Sequence, residues 1–171
     1  MKKISALVIT MIVSLVSLNA VAQDNVEAGQ WMIGATGGLN IEENNHVFTI
    51  APYGEYIIAD QFGVGVQLNC NILGYGNGAD SRFGFGAFAS YYLPIVQNFY
   101  FKPMLEVNFL FDHGTHFEIA AVPAFQYFAW EKMSFLIKAG GLSYGDFGNF
   151  NDKRIRLNIA NQVTLGLAYS F

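Results

Sequence analysis

The residues able to do chemistry in this chain are few and scattered. Among 171 residues there are 13 Asp and Glu, 9 Lys and Arg, 3 His and 1 Cys, so any site must be assembled from single groups far apart in sequence. His113 and His116, flanked by Asp112 and Glu118, are the clustered imidazoles, and His46 lies elsewhere. Imidazoles and carboxylates at short spacing bind divalent cations or sense pH. Two His three apart in a turn, with no fixed third ligand, fall short of a metal site, so no metal and no cofactor is expected. Asp80, Ser81 and Ser143 add the parts of a nucleophile and base, but no His-x-Ser motif joins them, and a nucleophile needs its base within hydrogen-bond reach. Glu55, Lys102, Glu106, Glu118 and Lys138 are different, because each stands alone in a stretch otherwise made of apolar, small or amide residues.

The elements that would position these groups follow from composition and period. Charged residues make up 13% of the chain, about half the ~25% of soluble domains, while 53% of residues are hydrophobic and 16% aromatic. That balance excludes a disordered chain. The length suits one domain. Lys2 and Lys3 precede an uncharged run, Ile4 to Leu18, and then Ala20-Val21-Ala22, the pattern of a secretory signal peptide cleaved between Ala22 and Gln23. The expected division is therefore a signal over 1–22 and one domain over 23–171. Cleavage takes both lysines, leaving 7 basic against 13 acidic residues, no footprint for nucleic acid. Cys70 is alone and sits at an apolar position, as a small hydrophobe does.

After Gln23 the dominant period is two. Phe62, Val64, Val66, Leu68, Cys70 and Ile72 are apolar, while Gly63, Gly65, Gln67, Asn69 and Asn71 between them are small or polar, the signature of a strand. The pattern returns with odd residues apolar from Phe99 to Phe111, and again from Leu157 to Phe171. Weaker versions cover 31–41, 47–58, 82–93, 116–129 and 133–143, giving eight segments. Two chance matches fall away: Gly84 to Ala89 fits a dinucleotide fingerprint but opens no helix, and Asp146-Phe147-Gly148 has no other kinase element around it.

A soluble sandwich buries its apolar face and exposes a charged one. Here the apolar face is large and aromatic, and the other carries Gly, Ala, Ser, Asn and Gln, which fits lipid outside and a narrow polar lumen inside. Backbone groups in a bilayer must be bonded internally, so the sheet must close. The expected fold is all-β, an eight-stranded antiparallel up-and-down transmembrane barrel. Connections at Ala59 to Gln61, Leu93 to Asn98 and Trp130 to Lys132 are brief; those at Glu42 to His46, Gly74 to Ser81, Asp112 to Thr115 and Ser143 to Lys153 are mostly longer. Short turns face the periplasm, which puts both termini there.

In such a barrel the isolated charges point inward. Counted from the short turns, Glu106 and Lys138 come to similar heights, and Glu55 and Lys102 sit lower in the wall. Together with Glu118 they form an expected lumen network. An eight-stranded interior is just wide enough for side chains to fill, so the network plugs the barrel or, in the second reading, lines a narrow ion path.

The stretches Pro52 to Tyr56, Asp60 to Gly65, Phe88 to Tyr92 and Leu165 to Phe171 resemble the small outer-membrane β-barrels, the OmpA-transmembrane-domain-like and OmpX-like group often filed as porin-family proteins. Ser90 stands where that family often has an inward Arg. The resemblance implies an outer-membrane location in a diderm bacterium, with membrane lipid and lipopolysaccharide as surroundings. It also implies that the terminal aromatic Phe171, with Leu165, Leu167 and Tyr169 before it, is read by the barrel assembly machinery. A few small barrels modify lipid A with a His and Ser near the outer rim, which keeps a lipid-modifying enzyme as a third reading. The expected function is non-enzymatic: a structural or surface-interaction barrel with a largely occluded polar lumen, ahead of a small channel for ions or solutes.

Overall fold

A computed structural model describes residues 26–42, 45–75, 78–111, 115–146 and 153–171. The expected signal, with its Ala22/Gln23 junction, lies outside them, as do Asp112 and His113. The strands are β1 (Trp31–Glu42), β2 (Asn45–Ala59), β3 (Phe62–Tyr75), β4 (Gly78–Tyr91), β5 (Leu93–Val96), β6 (Phe99–Phe111), β7 (Thr115–Trp130), β8 (Met133–Asp146) and β9 (Lys153–Ser170). Each neighbouring pair is antiparallel. Strand β1 pairs with β9 and β4 with β6, so the sheet has no free edge. β5 continues β4 along the same wall and pairs with the first residues of β6, which makes nine strands into an eight-walled closed barrel.

The expected connection from Leu93 to Asn98 is therefore corrected. Pro94, Gln97 and Asn98 read as a turn, yet Leu93–Val96 is strand, and the turn is confined to Gln97 and Asn98. Pro is tolerated because β5 lies at a strand end, where a missing donor costs least. Asn98 takes φ 64° and Gln61, in the β2–β3 turn, φ 65°, a left-handed conformation that Asn accepts more readily than most residues. The longer connections are also shorter than expected. Glu42 pairs with Asn45, Tyr75 with Gly78 and Asp146 with Lys153, because Gly, Asn and Asp extend antiparallel ladders there despite their loop-like composition.

The outer surface is an apolar belt. Val64, Val66, Leu68, Phe85, Leu105, Ile119, Ile137, Leu157, Leu165 and Leu167 are all exposed, an arrangement stable in hydrocarbon and costly in water. Trp31, Tyr91, Trp130, Tyr169 and Phe171 are exposed near the end that holds both termini and the short turns, where an aromatic girdle belongs. This is called the turn end, and the opposite rim the loop end. Trp31 and Phe171 exchange two backbone hydrogen bonds, of 3.1 and 3.0 Å, stitching the first strand to the last.

Candidate functional site: the barrel lumen

The inward-facing side chains are sorted into layers. Along β6 they read Tyr100, Lys102, Met104, Glu106 and Asn108, all buried, and β2 runs the opposite way through Ile57, Glu55 and Tyr53. Because the strands are antiparallel and in fixed register, side chains of one kind meet at one height.

At the turn end Val26, Met32, Ile57, Tyr92, Tyr100 and Phe128 pack into an apolar cluster. Val26 belongs to the segment before β1, which is tied down by the Gly29 amide on the Ile57 carbonyl and the Ile57 amide on the Gln30 carbonyl. Tyr100 meets Tyr92 and Phe128 edge to face, the geometry the ring quadrupole favours.

Above it lies a polar layer. The Lys102 ammonium donates to Glu55 Oε2 at 2.6 Å, to the Tyr92 hydroxyl at 2.6 Å and to Gln126 Oε1 at 3.0 Å. Its three protons are thus all placed. Ser90 Oγ donates to the other Glu55 oxygen, and Gln126 Nε2 donates to Ser134 Oγ at 2.8 Å. Lys102 and Glu55 are both 0% exposed, so the pair persists only because its remaining hydrogen-bonding capacity is met. Gly63 makes the room: a Cβ there would meet Glu55 Oε1 and, at 3.0 Å, Ser90 Oγ. Tyr92 reaches the lumen because it continues the inward phase of Phe88 and Ser90, and its amide bonds to the Gln61 carbonyl at 2.7 Å.

A second apolar layer follows, made of Tyr53, Phe88, Met104, Ala124, Leu136 and Ala168 with Val122 against it. The polar lumen expected from the sequence is thus interrupted, since two of the layers are hydrocarbon and aromatic. A filled eight-stranded interior is a core, and apolar groups satisfy packing there as well as polar ones.

The last layer holds Lys138, whose ammonium donates to Glu106 Oε1 at 2.6 Å. Gln67 Nε2 donates to Glu106 Oε2 at 3.2 Å and to Asn108 Oδ1 at 2.8 Å, and Asn69 Nδ2 donates to the same Asn108 oxygen at 3.0 Å. These groups form the floor and wall of a cavity of about 200 Å³ toward the loop end, lined also by Thr36, Thr49, Glu118, Ser143 and Thr164.

Of the expected network, Glu55 meets Lys102 and Glu106 meets Lys138, while Glu118 lines the cavity. Tyr92, Gln126, Ser134 and Ser90 complete the lower layer, and sequence reasoning assigned them no place in it. Both Gln126 and Tyr92 carried a signal: Gln126 is a polar residue in the inward phase of β7 between Ala124 and Phe128, and Tyr92 stands two residues past Ser90 in the inward phase of the 82–93 segment. Of the catalytic parts, Ser143 Oγ has no hydrogen-bond partner among the described residues. His116 is half-buried on β7. His113 and Asp112 lie outside the described residues, and so do the side chains of His46, Asp80 and Ser81. Leu165, Leu167, Tyr169 and Phe171 share the outer face of the closing strand.

No protein-family model matches the chain, and no curated protein matches it. Solved structures do. The outer membrane protein OprG from Pseudomonas aeruginosa matches over 87% of this chain and 99% of its own, at TM-score 0.53 and 14% identity. A chain from the de novo design of transmembrane β-barrels matches over 85% of this chain and 98% of its own, at TM-score 0.50 and 15% identity. Neisserial surface protein A covers 82% of this chain with 93% of its own, at TM-score 0.45 and 13% identity. The fold is that of the small eight-stranded transmembrane β-barrels found in outer membranes.

Proposed function

We propose that the chain is an integral outer-membrane barrel of structural or surface-interaction type, closed to solutes at its turn end. One observation carries the reading: Lys102 and Glu55 are wholly buried and fully bonded between two apolar layers, so a solute path would have to break an ion pair and displace two packed clusters. Removing one partner of such a pair costs about 3–5 kcal/mol, well above thermal energy. The apolar belt and the two faces of the wall support a membrane setting, and the short turns support termini in the periplasm.

Planar-bilayer recording tests the closed lumen. The unmodified protein is expected to give no steady unitary conductance, whereas Lys102→Ser/Glu55→Ser/Tyr92→Ala, which removes the middle of the plug, is expected to give one. A large steady conductance from the parent would establish the channel reading instead. The same setting gives Phe171 its role. Its ring lies on the lipid face at the membrane rim, where burial contributes at most about 2–3 kcal/mol, so its deletion is expected to leave refolding in micelles nearly intact. Insertion in cells should fall severely if the assembly machinery reads the terminal aromatic; normal insertion would remove that role.

A further inference from the structure

The cavity at the loop end has no part in keeping the lumen closed, and its lining is too ordered to be filler. Its volume of about 200 Å³ equals six or seven water molecules at the liquid's ~30 Å³ each, or one small organic solute. Its charged groups, Lys138, Glu106 and Glu118, are all already engaged. Lys138 is bonded to Glu106, and Glu106 also accepts from Gln67. A cation would compete with Lys138, and an anion with Glu106.

What the wall offers an occupant is uncharged. Gln67 and Asn69 spend amide nitrogens on the network, which leaves their carbonyl oxygens as acceptors, and Thr49 and Thr164 add hydroxyls. Ser143 is the sharpest sign. It is 5% exposed and lines the cavity, and its Oγ has no partner among the described residues. A buried hydroxyl left unbonded costs free energy. Leu110, Ala120 and Val122 give the same wall apolar patches, suited to the C–H faces of a ligand whose other faces are hydroxyl.

We propose that this cavity binds a small uncharged polyhydroxylated group, of monosaccharide size or less, with Ser143 and the amides of Gln67 and Asn69 as its hydrogen-bonding wall. The inference goes beyond the closed-lumen reading. A conducting barrel that bound such solutes would defeat that reading alone, and a closed barrel that bound none would defeat this one alone.

The test is saturation-transfer NMR on the barrel refolded in lauryldimethylamine oxide micelles, which contain no sugar, with glycerol, D-glucose, maltotetraose, choline and acetate as probes. Transfer to glycerol or D-glucose is expected, and none to choline or acetate. Maltotetraose separates the sources: transfer to it as well identifies chain ends of a polysaccharide, and transfer to the small probes alone identifies free solutes. Ala120→Leu grows into the cavity beside Ser143, its cross-strand partner, and is expected to abolish the signal. Ser143→Ala, which disturbs no hydrogen bond among the described residues, is expected to weaken affinity about three- to tenfold and carries the test should the larger change hinder folding. Absence of transfer to every neutral probe, preference for a charged one, or binding indifferent to both substitutions would overturn the proposal.

Discussion

The lumen contains the same chemical unit twice, in two settings. Lys102–Glu55 and Lys138–Glu106 are each 2.6 Å apart, and both join the β6 wall to another strand. The first pair is 0% exposed on both sides, while the second is 11% and 8% exposed and borders a cavity. Around the first, every proton of the ammonium has a protein acceptor; around the second, Glu106 is the acceptor among the described residues, and the ammonium borders the cavity. Identical ion pairs thus serve as a plug in one half of the barrel and as a wall in the other, and what distinguishes them is the layer on either side.

The difference is broken most severely at Lys102. Lys102→Met leaves Glu55 charged and buried and strips Tyr92 and Gln126 of a partner, so a loss of about 3–5 kcal/mol is expected, read as a lower denaturation midpoint in detergent. Glu55→Gln/Lys102→Met should recover part of it. Equal stability of parent and single variant would mean that water reaches this layer. Lys138→Met should cost less, about 2 kcal/mol, because the cavity lets solvent stand in for the lost ammonium beside Glu106. A loss as large as at Lys102 would erase the contrast. The finest comparison uses two serines. Ser90→Ala removes a donor from a buried carboxylate and is expected to cost about 1–2 kcal/mol, whereas Ser143→Ala removes a hydroxyl that has no partner among the described residues and should change stability by less than ~0.5 kcal/mol. Both are measured by the same unfolding assay, and reversal of their order would overturn the assignment of the two halves.

Much of this was legible in the sequence, for a physical reason. A strand's side chains alternate with period two, so Phe62 to Ile72 and Phe99 to Phe111 declare both the element and its faces without any knowledge of partners. Heights along a wall follow from counting residues from a turn, which is why the two Lys–Glu pairs could be anticipated. The short strand β5 was not legible. Pro94, Gln97 and Asn98 carry turn chemistry, and only the closed sheet, with Leu93 opposite Phe101, recruits the residues between them as strand. The apolar layers were hidden by the rule that exposed the faces: Tyr53, Phe88, Met104 and Leu136 violate lipid-out, polar-in alternation, since packing inside a filled barrel follows size and shape across the lumen rather than pattern along a strand.

The layering has a further consequence for how the chain finds its pairing. A strand that slips by one residue turns its apolar face inward and is rejected at once, but a slip of two residues keeps every face correct and every ladder bond available. Alternation is blind to that error. The layers are not, because a two-residue slip of β6 toward the loop end would carry Lys102 into the level of Tyr53 and Phe88, and Tyr100 to the level of Glu55. An ammonium without a carboxylate and a carboxylate without an ammonium would be buried together, each at a penalty of several kcal/mol. The stack of unlike layers therefore acts as a vernier on the barrel wall, distinguishing alignments that the faces alone would accept as equivalent.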